Sequence, residues 1–305
     1  GTLTCRLLIA DVTAAGTLHE LRSERRILKL GEGVDARKVL NPAAMDRVLA
    51  CLKDWRTVID SYRVDGAAVV ATSAVRDATN RARFQDRVKH ETGFDVEVIS
   101  GKEEARRTML GIRTGLSETV GDVLAVDIGG GSTELILDRA GHLPSVSSMD
   151  LGVVRLTERV LLHDPPTTEE IRFAREWIAK ETQAASAALP RRAGARFVGT
   201  AGTITSLSAM AQQLPSYQPA RIHNYRLTLD RVLDLERQLL ALTNAERIGM
   251  PGLEKNREGV IAAGAVMLRT IMETLGEKEC LVSDMGLREG VLIDLASRLL
   301  PRSSM

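Results

Sequence analysis

The stretch DIGGGSTE, residues 127–134, sets two carboxylates around three glycines and two hydroxyls. Glycine lets a backbone approach a ligand closely, and consecutive amides in such a turn form a nest for an anion. Gly129, Gly130 and Gly131 supply the nest, and Ser132 and Thr133 add hydroxyl donors. Asp127 and Glu134 would repel a phosphate held there unless a hard cation lay between. Mg²⁺ is the usual such ion, taking one or two carboxylates together with water and substrate phosphates. The same letters also describe a plain β-hairpin turn, and glycine-rich turns alone are weak signals. Two further stretches share the chemistry. GTLT at the start of the chain offers Gly1, Thr2 and Thr4, and GTAGTIT at 199–205 offers Gly199, Gly202 and Thr203. The latter reads either as an anion site at a helix N-terminus or as a tight strand-to-helix turn.

The elements that must carry these groups alternate between strand and helix. Residues 5–13 read as a strand and 17–30 as one or two more. Asn41 and Pro42 open a helix whose apolar positions, from Met45 to Tyr62, fall on one face. GAAVVATSAV (66–75) reads as a buried strand running into a polar turn, followed by a helix at 80–92, the strand FDVEVISG and the helix KEEARRTMLGIRTGL. After a linker at 116–122 the rhythm restarts, with strands at 123–128, 133–138 and 143–151. A helix follows with a capping box from Thr167 to Glu170. Then come strand, glycine turn and helix at RFVGTAGTITSLSAMAQ, helices near 229–242 and 257–275, the strand ECLVSD and a last helix, LREGVLIDLASRLL. This rhythm implies an α/β sheet covered by helices. GTLTCRLLIAD and GGGSTELILD echo one another, each glycine, small hydroxyls and a strand ending in Asp. Two halves with the same opening hairpin suggest a duplicated fold.

Composition narrows the partners. A chain of 305 residues suggests two domains, placed at 1–117 and 118–305, with the last helix a candidate to pack back on the first. Basic and acidic side chains number 41 and 40, so any polyanion site is a local patch and there is no global case for nucleic acid or membrane. Aromatics at 3% argue against base-stacking platforms. Cys5, Cys51 and Cys280 show neither metal spacing nor a disulfide framework, which points to a reducing cytoplasm. Basic clusters at Arg22–Lys29 and Lys102–Arg107 read as solvated faces more readily than as polyanion tracks. Self-association as a homodimer stays open.

The blocks ATSAVRDA, VEVISGKEEARR, LAVDIGGGSTELIL, MDLGVVRLTE, GTAGTITSLSAM, IHNYRLTL, VIAAGAVMLRTIME and SDMGLREGVL run the length of the chain in one order. Together they resemble the short form of the exopolyphosphatase and guanosine pentaphosphate phosphohydrolase (Ppx/GppA) family, within the sugar kinase, Hsp70 and actin superfamily. The resemblance implies two duplicated ribonuclease H-like (actin-like ATPase) domains with a cleft between them. It also implies Mg²⁺-dependent hydrolysis of a terminal phosphoanhydride in inorganic polyphosphate or guanosine pentaphosphate. In that pattern Glu104 activates the attacking water, Arg76 faces the phosphates with Ser73 in the same turn, and Asp127 and Glu134 hold the metal. The family's first phosphate motif has an Asp two residues before the glycine matched by Gly1. This sequence does not contain it, and its start reads as a truncation. The alternatives are a phosphotransferase of the same superfamily and a non-catalytic regulator that binds guanosine tetra- or pentaphosphate.

Overall fold

The computed structural model describes residues 1–13, 16–116, 120–190 and 194–299. The chain forms two compact units. The first comprises Gly1–Thr114 together with the chain from Gly286 onward, and the second Gly115–Met285. Residues 117–119, inside the expected linker, lie outside the described residues.

The first unit opens with β1 (Thr4–Val12) and β2 (Leu18–Ile27), an antiparallel pair with a register shift at Ile9/Ala10. α1 (Val34–Arg37) and α2 (Pro42–Ser61) follow. Asn41 caps α2 by accepting from the Ala43 amide, and Pro42 fills the first turn, where no amide is needed. The expected strand at 66–75 is shorter in the structure. β3 (Val69–Ala71) pairs in parallel with only three residues of β4 (Val96–Val98), and Ser73–Arg76 already forms the one-turn helix α3. α4 (Arg81–Thr92) ends at Gly93, whose φ of 76° closes the helix. α5 (Gly101–Gly115) begins just after β4, and α13 (Leu287–Leu299) packs against β1. α5 and α13 approach backbone to backbone. A Cβ on Gly111 would lie 1.9 Å from the Gly286 carbonyl oxygen, and one on Gly290 would lie 1.6 Å from that of Arg107.

The second unit is built on one six-stranded sheet. Its strands are β5 (Val123–Ile128), β6 (Thr133–Asp138), β7 (Ser145–Met149), β8 (Arg196–Thr200), β9 (Arg226–Thr228) and β10 (Glu279–Val282), in the order β7-β6-β5-β8-β10-β9. β5 is buried along its whole length and lies parallel to β8, which is why its sequence is almost continuously apolar. Around the sheet lie α6 (Val153–Arg159), α7 (Thr168–Ala187), α8 (Ala201–Ala211), α9 (Pro219–Ile222), α10 (Leu229–Leu240), α11 (Asn244–Arg247) and α12 (Glu258–Leu275). The capping box at Thr167 and Glu170 forms as expected, a motif whose cap alone contributes about 1 kcal/mol. α12 is apolar on nearly every side because α6, α7, α8 and α10 all pack against it. No helix among the described residues is long and apolar enough to cross a membrane.

Candidate active site

In the first unit, the residues expected to act on phosphate converge from α3, α5 and the chain start. Arg76, closing α3, donates from one terminal nitrogen to the Ile99 carbonyl at 2.9 Å and to Glu104 Oε2 at 3.2 Å. Its Nε and second terminal nitrogen make no hydrogen bond among the described residues. Guanidinium nitrogens of this kind can take two phosphate oxygens at once. Glu104 lies in the first turn of α5 and is 9% exposed. Its neighbour Glu103 is committed elsewhere. Arg106 and then Arg107 donate to it, at 2.7–2.9 Å, and hold its pKa down at about 2. Of the two acids in the EEA triplet, the structure therefore pairs Glu104, not Glu103, with Arg76. Thr2 and Ser73 meet through their hydroxyls at 2.9 Å in a buried contact. Gly1 is exposed beside them, whereas Thr4 already belongs to β1, opposite Ile27.

Four arginines of the basic clusters are ion-paired. Arg22 binds Glu24, Arg26 binds Asp54, Arg106 binds Glu103 and Asp294, and Arg107 binds Glu97. Glu289 accepts from the Gly286 amide at 2.8 Å and so caps α13, a structural role. His223 bridges the Gly115 carbonyl, 2.9 Å from Nε2, and the Asp284 amide, which donates to Nδ1 at 3.3 Å.

In the second unit, β5 and β6 are joined by Gly129–Ser132. The register sets Asp127 opposite Glu134, Glu134 opposite Ser148 and Asp127 opposite Thr200. Ser148, Glu134, Asp127 and Thr200 thus form one row across four adjacent strands. Glu134 is 1% exposed and Asp127 8%, and Ser148 Oγ donates to Glu134 Oε1 at 2.9 Å. Two neighbouring carboxylates are a hard-oxygen donor set that fits Mg²⁺ completed by water and phosphate. No group of three or more His, Cys, Asp and Glu among the described residues is placed to hold a metal.

The carbonyls of the glycine turn are all engaged from behind. Gly129 accepts from the Val153 amide at 3.0 Å and Gly130 from the Val154 amide at 2.9 Å, so the turn caps the start of α6. Gly131 accepts from Arg155 Nε at 3.0 Å. In a trans peptide the N–H points opposite to the C=O. The amides of Gly130, Gly131 and Ser132 therefore point away from α6, and no backbone carbonyl among the described residues accepts from them. Three consecutive amides in this arrangement are a candidate anion nest. Gly152 makes it possible, since a Cβ there would sit 2.4 Å from the Gly130 carbonyl. Gly152 and Arg155 lie in the MDLGVVRLTE block, and nothing in their residue types alone assigned them this work.

Other expected ligands are used differently. The Thr133 hydroxyl donates to the Leu151 carbonyl at 2.6 Å and is fully buried, so it fastens the hairpin. Gly199 is a residue of β8, flanked by β5 and β10, where a Cβ would collide with Cys280 Sγ. No glycine turn separates β8 from α8. Ala201, with φ of 72°, makes the bend and begins the helix. A left-handed alanine is strained, and such strain concentrates at functional positions. Gly202 and Thr203 lie in the first turn of α8, and the buried Arg257 guanidinium rests against Gly202. The nest after β5 and the N-terminus of α8 thus sit at the same ends of two parallel strands, where α/β sheets bind ligands.

Comparison with known proteins agrees with this architecture. Residues 8–299 match the Ppx/GppA phosphatase family. Exopolyphosphatase 2 of Mycobacterium tuberculosis is 35% identical over 308 residues, covering 97% of this chain and 96% of its own. Among solved structures, the Aquifex aeolicus Ppx/GppA family member superposes with a TM-score of 0.82 at 32% identity, covering 98% of this chain and 96% of that one. An exopolyphosphatase from Cytophaga hutchinsonii reaches a TM-score of 0.87 at 28% identity over the same shares. The fold is the two-domain, actin-like α/β fold of these proteins. The chain belongs to the Ppx/GppA phosphatase family.

Proposed function

We propose that this chain is a phosphoanhydride hydrolase that releases terminal orthophosphate from inorganic polyphosphate. The observation that carries the reading is the outward-facing row of Gly130, Gly131 and Ser132 amides beside the Asp127–Glu134 pair. The names of the relatives, exopolyphosphatases among them, support it.

In this reading the three amides take phosphate oxygens, with Gly1, Thr2, Ser73 and the first turn of α8 as further donors. Asp127 and Glu134 would hold Mg²⁺, which, when bound, offsets the charge that crowds the phosphates. Arg76 engages equatorial oxygens of the terminal group, where charge is spread in the transition state. Glu104 orients a water and takes its proton as the water oxygen bonds to the terminal phosphorus. The bond to the bridging oxygen breaks, and the chain leaves one phosphate shorter. Phosphoanhydrides have good leaving groups, so positioning and charge neutralisation carry most of the catalysis.

The 5′ end of guanosine pentaphosphate presents the same terminal group, and a kinase-like transfer would use the same nest. Phosphate release is therefore measured separately with polyphosphate, guanosine pentaphosphate and ATP, with ADP and sugars as acceptors. Release from polyphosphate without an acceptor is the expected result. Binding without release, or transfer only to an acceptor, would replace this reading with the regulator or the phosphotransferase. Three free thiols, Cys5, Cys51 and Cys280, suit a reducing compartment such as the cytoplasm.

A further inference from the structure

A pocket of about 460 Å³ lies wholly within the second unit, at the C-terminal end of α8. Its size falls in the range of roughly 300–1,000 Å³ typical of small-molecule sites. α8 runs from Ala201 to Ala211, so at about 1.5 Å per residue the pocket stands about 15 Å from that helix's first turn. α10 contributes Arg231, Asp234, Leu235 and Gln238, the spacing of one helical face. Met210 and Leu235 are buried and give the pocket an apolar floor, while Arg221, Arg231, Gln213 and Gln238 are exposed around it. Tyr225, half-buried, adds an aromatic wall. The Gln212 side-chain amide donates to the Arg221 carbonyl at 3.0 Å and so ties α9 to the end of α8.

The charges of this pocket are unevenly matched. Asp234 is the one acid of the lining, and it is ion-paired with Arg237 at 3.3 Å. Arg226, beside Tyr225, is paired with Glu279 at 3.4 Å. The guanidinium groups of Arg221 and Arg231 make no ion pair or hydrogen bond among the described residues. Two such groups suit an anion, and the planar fork of each matches phosphate oxygens two at a time. Inorganic phosphate alone would leave the apolar floor and the aromatic wall unused. A phosphate joined to a flat ring would use both, since aromatic and thioether side chains pack well against a ring.

We propose that this pocket binds a phosphomonoester carrying a planar ring, with its phosphate on Arg221 and Arg231 and its ring against Met210, Tyr225 and Leu235. Arg231 lies in the first turn of α10, where the helix dipole also favours an anion. The inference stands apart from the polyphosphate reading, because no residue of the pocket takes part in it.

The test reads each arginine separately in the whole folded chain. Phenylglyoxal modification is quantified at single arginines by peptide mass spectrometry, with AMP, GMP or phenyl phosphate present at millimolar concentration. Arg221 and Arg231 should be shielded, and Arg226 and Arg237 should react as they do without ligand. Inorganic phosphate and adenosine at the same concentration should shield much less. In Arg221→Gln the AMP concentration that shields Arg231 should rise roughly tenfold or more, the scale of a lost charge-assisted hydrogen bond. Shielding by none of the three phosphomonoesters would overturn the proposal. So would equal shielding by inorganic phosphate, an equal fall at Arg226 and Arg237, or an unchanged AMP requirement in Arg221→Gln.

Discussion

In the second unit the chain after β7 closes behind the glycine turn at Leu151–Gly152. In the first unit the chain after β2 closes behind Thr2 and Leu3 at Leu30–Gly31. Gly31 donates to the Thr2 carbonyl at 2.8 Å, and Leu28 and Lys29 both donate to the Leu3 carbonyl at 3.0 Å, much as the start of α6 serves Gly129 and Gly130. A Cβ on Gly31 would sit 2.3 Å from the Thr2 methyl, as one on Gly152 would sit 2.4 Å from the Gly130 backbone. The units share a scaffold and differ in what enters it. In the second unit β5 leads into the turn and brings Asp127 into line with Glu134. In the first, β1 pairs only with β2 among the described residues, and the acid comes instead from α5, as Glu104 beside Arg76. In the proposed reading, this scaffold would serve anion and cation holding in the second unit and proton transfer in the first.

The largest effect should come from the acid that has no counterpart in the second unit. Glu104→Gln keeps shape and hydrogen-bonding capacity and removes the base. Turnover on polyphosphate should fall by about 10²–10⁴-fold, the scale of a general base, with KM little changed. Turnover near the wild-type value would take Glu104 out of the mechanism.

A smaller contrast separates the two closing glycines. The alanine methyl at position 152 meets backbone atoms of Gly130 and Gly131 at 2.4–2.5 Å, whereas that at position 31 meets chiefly the Thr2 side chain. Backbone cannot yield as a side chain can. Gly152→Ala should lose about 1–3 kcal/mol in urea unfolding, the usual range for overpacking, and Gly31→Ala less. Equal losses would mean that the Thr2 side chain resists the methyl as firmly as the Gly130–Gly131 backbone does.

The smallest effect is acid sensitivity. Glu103 in the first unit is held down at about 2 by hydrogen bonds from Arg106 and then Arg107. In the second unit, burial pushes Glu170 up, but His163 and the Thr167 and Leu162 amides outweigh it and bring it to about 2. A depressed carboxylate contributes stability above its unfolded value, 4.5 here, and loses it as pH falls through about 2. Glu103→Gln and Glu170→Gln should each unfold more easily than the wild type at pH 6. Both differences should shrink between pH 4.5 and 2, as read by unfolding midpoints across that window. A difference that persists at pH 2 would assign the loss to packing.

What could be read from the letters was local. DIGGGSTE announced a hairpin, Thr167 with Glu170 announced a helix start, and the EEA triplet announced two acids, of which Glu104 meets Arg76. Register was hidden, because only strand pairing aligns Ser148, Glu134, Asp127 and Thr200. Side-chain destinations were hidden for the same reason. Nothing around Thr133 says that its hydroxyl is spent on Leu151. Nothing in GTAGTIT says that Ala201, not a glycine, makes the bend, or that Gly199 is needed for close packing under Cys280. The repeated Leu-Gly pairs, Leu30–Gly31 and Leu151–Gly152, were legible in principle. Two residues are too short a signal until the structure places both behind equivalent strands.

The division of labour itself is tested most directly by equilibrium binding of polyphosphate on a background that cannot turn it over. Isothermal titration with Mg²⁺ present would compare Glu104→Gln with the double variant Glu104→Gln/Gly152→Ala, circular dichroism confirming that both are folded. The account predicts tight binding by the single variant and a loss of roughly tenfold or more in the double, since charge-assisted hydrogen bonds to the nest are removed together. Equal affinity in the two proteins would contradict it, because phosphate would then be held somewhere other than the Gly129–Ser132 turn.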